Sequence, residues 1–117
     1  MPIDQRINYL ELPARDLDAA EAFYKGAFGW TFTPYGPEYR AFNDGTTDGG
    51  FYKADASSRT DNGAALIVLY ADNLEGTRDT VVRSGGTIVK DIFPFPGGRR
   101  FHFADPNGNE LAVWGNA

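Results

Sequence analysis

Apolar positions in this chain follow two spacings, an alternating one and a helical one, and the two succeed each other in the same order twice. Residues 7–12 form an apolar-rich run of strand character. The segment that follows, ARDLDAAEAFYKGAFG, places Leu17, Ala20, Phe23, Tyr24 and Phe28 on one side of a helix. Residues 64–71 form a second such run, and DNLEGTRDTVVRSGG then carries Leu74, Thr77, Val81 and Val82 in similar fashion. Both predicted helices are punctuated alike. Asp16 in the first half, and Asp72 or Asn73 in the second, can accept hydrogen bonds from the free N–H groups of the first turn. Gly29 and the pair Gly85-Gly86 suit left-handed exits.

Three further strand-like runs follow each helix: residues 30–34, 38–42 and 50–53 in the first half, and 87–92, 99–104 and 110–114 in the second. GPE, NDG, PFPGG and DPNG supply the turns. Leu10 recurs as Ile67 and Leu17 as Leu74, a constant spacing of 57 residues. Each half therefore reads βαβββ, and the predicted fold class is α+β. One domain spans residues 1–117, with a first module over about 5–55 and a second over about 63–115, joined by the polar, breaker-rich linker 56–62. One helix on a four-stranded sheet is a marginal unit by itself, so the two modules are expected to pack as a pair.

Composition narrows the functional classes. No apolar run approaches the roughly 20 residues that a membrane-spanning helix needs. The chain has no cysteine, which removes disulfides, thiolate nucleophiles and thiolate metal sites together. With no basic-then-apolar leader, a cytoplasmic location is the expectation. A net charge of -5 and a pI near 4.7 argue against nucleic acid or an anionic membrane as partner and leave cationic or neutral small ligands easier to accommodate. No Ser–His–Asp set, Walker motif or dinucleotide fingerprint is present. PFPGGRR, residues 94–100, precedes a strand rather than opening a helix, so it is read as a hairpin loop and not as a phosphate cradle.

The opening INYLELPARDLDAAEAFYKGAFGW and the closing FHFADPNGNELAVW, set on this repeat, resemble the vicinal oxygen chelate superfamily, which includes glyoxalase, bleomycin resistance proteins and extradiol dioxygenases. The resemblance is strongest to small glyoxalase-related bacterial proteins. It implies that the two sheets form a curved, mixed cup with helices outside and a ligand inside, commonly in a homodimer. Strand parity agrees with that architecture: Leu10, Leu12, Ile67 and Leu69 suit the side under a helix, which turns Ile7, Tyr9, Glu11, Leu66, Val68, Tyr70, Glu110, Ala112 and Trp114 toward the cup.

Metal-dependent members of that superfamily hold a divalent ion with His, Glu or Gln from the first and last strands of each half. Carried over by position, those sites fall on Tyr9, Leu66, Ala112 and a residue near 49–51, none of them an ordinary ligand. The whole chain has one histidine, and a carboxylate site from Glu11 and Glu110 would require displaced strands. No metal and no other cofactor is therefore expected.

Several side chains compete for roles in the cup. His102, between Phe101 and Phe103, projects inward with Arg100 and could move a proton, or it could be a structural histidine bonded to backbone. Glu11 could act as a base if buried, or be held ionised by Arg40 or Arg100 at the rim, while Glu110 lies nearer the turn and is expected to be solvated. Tyr9, Tyr70 and Trp114, with Phe42 or Tyr39, could line a pocket for a flat or partly apolar ligand, unless they are core. Phe23, Tyr24, Phe28 and Trp30 are assigned to the core.

The expected function is that of a small-molecule-binding protein without a metal. Its ligand would be held by Tyr9, Arg40, Phe42, Val68, Tyr70, Arg100, Glu110 and Trp114, and the protein would be a homodimer. A glyoxalase-related enzyme of lyase or isomerase type, using Glu11 or His102 for proton transfer, is the alternative, and a regulatory or structural subunit is a third.

Overall fold

The structure is a computed structural model that describes residues 2–116. The first module runs β1 (Tyr9–Ala14), α1 (Leu17–Phe28), β2 (Thr31–Pro34), β3 (Tyr39–Asn43) and β4 (Asp48–Lys53). The second runs β5 (Ile67–Tyr70), α2 (Leu74–Arg83), β6 (Thr87–Phe95), β7 (Gly98–Ala104) and β8 (Glu110–Gly115). Each module closes a four-stranded mixed sheet, in the orders β1-β4-β3-β2 and β5-β8-β7-β6. In both, the first strand pairs in parallel with the last and the remaining pairs are antiparallel. The repeated βαβββ plan is thus the architecture of the chain.

The helices begin and end for the reasons their sequences suggest. Asp16 accepts a hydrogen bond from the Ala19 N–H at the start of α1, and Asn73, rather than Asp72, accepts one from Gly76 at the start of α2. Gly29 leaves α1 at φ 72°, a left-handed conformation that a side chain would strain. Val82, expected on the buried side of α2, is exposed, because Leu74 and Val81 alone form the buried stripe of this short helix.

Helix α1 is the centre of the core. Tyr24 stacks on Trp30 at 4.6 Å and reaches Phe51 of β4 at 5.3 Å, while Phe23 and Phe28 reach Phe103 of β7 at 5.7 and 5.9 Å. One helix thus touches the apolar faces of both sheets, and α1 also packs on α2. The two opposite, uncovered faces are joined by no hydrogen bond, ion pair or aromatic contact among the described residues. A single chain does not bring those faces together through such contacts, a point on which the sequence is silent.

A polar seam locks the modules. Asp105 is buried and accepts from the Tyr24 hydroxyl at 2.8 Å, the Asn107 N–H at 2.8 Å, and the Asn109 N–H and Nδ2 at 3.0 and 3.2 Å. Asn109 also donates to the Pro13 carbonyl at 2.7 Å and accepts from Ser58 N–H at 2.8 Å, and Asn107 exchanges two bonds with the backbone of Asp16. Burial pushes the Asp105 carboxyl above its ordinary value, against the lowering effect of its four donors. The DPNGN motif is therefore a structural stitch between modules.

Candidate functional site

The uncovered face of the second sheet is built by strand alternation. On β8, Leu111 and Val113 turn to the core, which sends Glu110, Ala112 and Trp114 to the other side. On β7, Phe101 and Phe103 are core, so Arg100 and His102 share that face, cross-strand from Trp114 and Ala112. On β6, Phe93 and Phe95 oppose Arg100 and Gly98. Val68, Phe95, Gly97, Arg100 and Trp114 line a shallow hollow of about 260 Å³. Tyr70 meets Trp114 edge-on at 4.9 Å, and the Arg100 guanidinium lies 5.4 Å from the Phe93 ring centre and 5.7 Å from that of Phe95. Expected lining residues Val68, Tyr70, Arg100 and Trp114 do converge here. Phe93, Phe95 and Gly97 were not expected.

The hairpin expected over residues 94–100 is present and its turn is shorter than that span. β6 continues to Phe95 and turns into β7 through Pro96 and Gly97 alone, with Pro94 tolerated because β6 is an edge strand. Glycine at 97 leaves room for the Phe95 ring, which a Cβ there would crowd.

His102 has a side-chain partner rather than a backbone one. Its Nδ1 lies 2.7 Å from Glu110 Oε2, and both residues are buried, His102 at 2% and Glu110 at 7% exposure. Glu110 is thus not the solvated residue that its place beside the turn suggests. The linker folds over it, and Thr60 donates to its Oε1 through the backbone N–H at 3.0 Å and the hydroxyl at 2.8 Å. Burial alone would raise the Glu110 carboxyl, but the bonds from His102 and Thr60 outweigh it and hold the group below its ordinary value. His102 Nε2 is buried without a hydrogen-bond partner.

The uncovered face of the first sheet carries a different cluster. The Tyr39 hydroxyl donates to Glu11 at 2.9 Å and lies 2.6 Å from the Tyr9 hydroxyl. Burial, followed by these bonds, raises the Tyr39 hydroxyl well above its ordinary range. Of the two candidates on β3, it is Tyr39 that faces this side. Arg40 and Phe42, expected in the lining, belong to the opposite face: Phe42 is core, and Arg40 pairs with Glu21 at 2.7 Å and Asp18 at 3.0 Å on α1. Glu11 accordingly pairs with neither Arg40 nor Arg100. Ile7 and Leu66, expected to point inward from strands, precede β1 and β5.

The positions that a metal centre would use do not fit an ion. Tyr9, Leu66 and Ala112 offer no imidazole or carboxylate, and a Cβ at Gly50 would collide with the Tyr39 hydroxyl, which fills that place. Among the described residues no group of three or more His, Asp or Glu could hold a metal ion. Nor, among them, is any helix long and apolar enough to cross a membrane.

Comparison with known proteins extends this picture. No curated protein matches the chain. Among solved structures it is similar to a lactoylglutathione lyase from Agrobacterium tumefaciens, 25% identical with a TM-score of 0.72 over 95% of this chain and 93% of that one. Similar backbones occur in a glyoxalase/bleomycin resistance protein/dioxygenase family enzyme from Burkholderia phytofirmans PsJN (17% identity, TM-score 0.78, covering 94% and 98%). A genomically encoded fosfomycin resistance protein from Listeria monocytogenes is 14% identical with a TM-score of 0.80, covering 98% and 96%. These last two likenesses speak for the fold alone. Residues 6–113 match the family model described as Glyoxalase/Bleomycin resistance protein/Dioxygenase superfamily. With that match spanning nearly the whole chain and the duplicated βαβββ fold beneath it, the protein belongs to the glyoxalase/bleomycin resistance protein/dioxygenase superfamily.

Proposed function

We propose that this chain is a small-molecule-binding member of the superfamily that works without a metal ion and holds its ligand on the uncovered face of the second sheet. The observation that carries this reading is the aromatic hollow at Val68, Phe95, Gly97, Arg100 and Trp114, left open by the rest of the chain. In the same reading two copies complete the cup. Tyr9, Tyr52, Val68 and Tyr70 are each more than 40% exposed on the two uncovered faces, an arrangement that a second copy would cover. Thermal-shift screening against metabolites and antibiotics tests binding, since a ligand at a hundred times its dissociation constant stabilises by about 2.7 kcal/mol. A hit that survives Trp114→Ala unchanged would place the ligand elsewhere. Sedimentation equilibrium tests the dimer, which Tyr52→Glu is expected to dissociate.

The His102–Glu110 pair favours a second reading, an enzyme of lyase or isomerase type. A carboxylate on one imidazole nitrogen orients the ring and leaves the other nitrogen to handle a proton. Glu11, with Tyr39 and Tyr9 attached, is the other candidate base. Loss of turnover with binding retained in His102→Ala or Glu11→Gln would support catalysis. Retention of turnover in both would remove it.

A further inference from the structure

The chemistry of the ligand is legible in one side chain. Arg100 is half-buried, its Nε is buried without a partner, and it enters no hydrogen bond or ion pair among the described residues. Two other arginines differ in their ion pairs: the adjacent Arg99, on the opposite face, pairs with Glu75 at 2.6 Å, and Arg40, whose Nε is likewise buried without a partner, has two carboxylates. The guanidinium carbon of Arg100 lies over the Phe93 and Phe95 rings, which offer no acceptor to its N–H donors. Glu110, the carboxylate on β8 of the same face, already has His102 on one oxygen and Thr60 on the other. A guanidinium with its Nε buried, its central carbon over two rings and no anion beside it borders a hollow walled by Trp114 and Val68. His102 Nε2, two residues along the same strand and the same face, is a second buried nitrogen without a partner.

Resting on the proposed function, we infer that this hollow takes a small flat apolar molecule bearing a carboxylate, with the carboxylate on Arg100 and the apolar body against Trp114, Phe95 and Val68. The planar fork of the guanidinium matches two carboxylate oxygens, and the hollow has room for a group about the size of one aromatic ring. The preference opposes the net charge of -5, because at contact distance the local guanidinium outweighs charges screened beyond about 10 Å.

The test uses the ¹⁵N-labelled full chain titrated with benzoate, phenyl phosphate, benzyl alcohol and benzylammonium, following the Trp114 indole resonance, with buried Trp30 as internal reference. Benzoate is expected to bind at least about tenfold more tightly than benzyl alcohol, and benzylammonium most weakly. Arg100→Gln should abolish the benzoate preference while leaving benzyl alcohol affinity unchanged, and Arg100→Lys should restore only part of it. Equal affinity for benzoate and benzyl alcohol overturns the inference and leaves the hollow as a binding site. Tighter binding of phenyl phosphate overturns the carboxylate assignment, and failure of every probe to move Trp114 overturns both the inference and the proposed site. If Glu11→Gln raises benzoate affinity about tenfold, Arg100 serves the Glu11 carboxylate of a second copy, and the inference falls.

Discussion

Tyr24→Phe isolates one bond in the seam between the modules. The ring is fully buried and packs on Trp30 and Phe51, so removing the hydroxyl opens almost no cavity and leaves the packing intact. What disappears is the 2.8 Å bond to the buried Asp105 carboxylate, which keeps three of its four donors. A hydrogen bond to a charged group contributes about 1.5–3 kcal/mol, so the variant should lose about 2 kcal/mol. In a domain of this length that corresponds to a fall in Tm of roughly 6–12 °C. Urea unfolding followed by tryptophan fluorescence suits the measurement, because Trp30 stacks directly on the altered ring. Asp105→Asn should cost more, about 3 kcal/mol, since its amide N–H groups would face other donors. The double variant should fall short of the sum by about 1 kcal/mol or more. A Tyr24→Phe loss below about 0.5 kcal/mol, or strict additivity with Asp105→Asn, would refute the reading of the motif as a stitch.

Asn109→Ala removes two donated bonds and one accepted bond from a fully buried position; a loss of about 3 kcal/mol or more by the same unfolding assay is expected, with less than about 1 kcal/mol counting against the seam. Glu110 is held below its ordinary value of 4.5, so the stability it supplies is complete above that value and disappears as pH falls through the lower folded value. Chemical denaturation between about pH 3 and about pH 7 should therefore show a flatter acid limb in Glu110→Gln than in the parent, and identical limbs would contradict the His102 and Thr60 bonds. Gly50→Ala should cost about 1–3 kcal/mol by displacing Tyr39, and Tyr39→Ala in the same chain should recover part of the loss; a neutral Gly50→Ala would mean that the Tyr39 hydroxyl does not fill that place.

The repeat, the helix caps and the aromatic core were legible because each rests on local chemistry: strand and helix spacing, a side-chain acceptor before the helix, a glycine after it. The candidate site was legible wherever strand parity was unambiguous, as on β7 and β8, where Phe101, Phe103, Leu111 and Val113 fix which face the alternate residues take. On β3 the parity of Tyr39, Arg40 and Phe42 can be read either way. Arg40 carries a charge that suggests solvent or ligand, yet its long stem lies on the covered side and reaches two carboxylates of α1 at the rim. Burial of Glu110 depends on a polar linker folding back over it, and no local pattern in residues 56–62 announces that. The His102–Glu110 pair could have been found: the DPNGN turn pairs Ala104 with Glu110, which places His102 one diagonal step away on the same face. Phe93 and Phe95 were missed because Pro94 between them reads as the end of a strand, whereas an edge strand admits a proline.

Elemental analysis of the purified full chain, grown and handled with Zn, Ni, Mn and Fe available, tests the central claim most directly. The account predicts below roughly 0.1 ion per chain, with ligand binding unchanged by chelators. About one ion per chain, lost on chelation together with ligand binding or turnover, would contradict it.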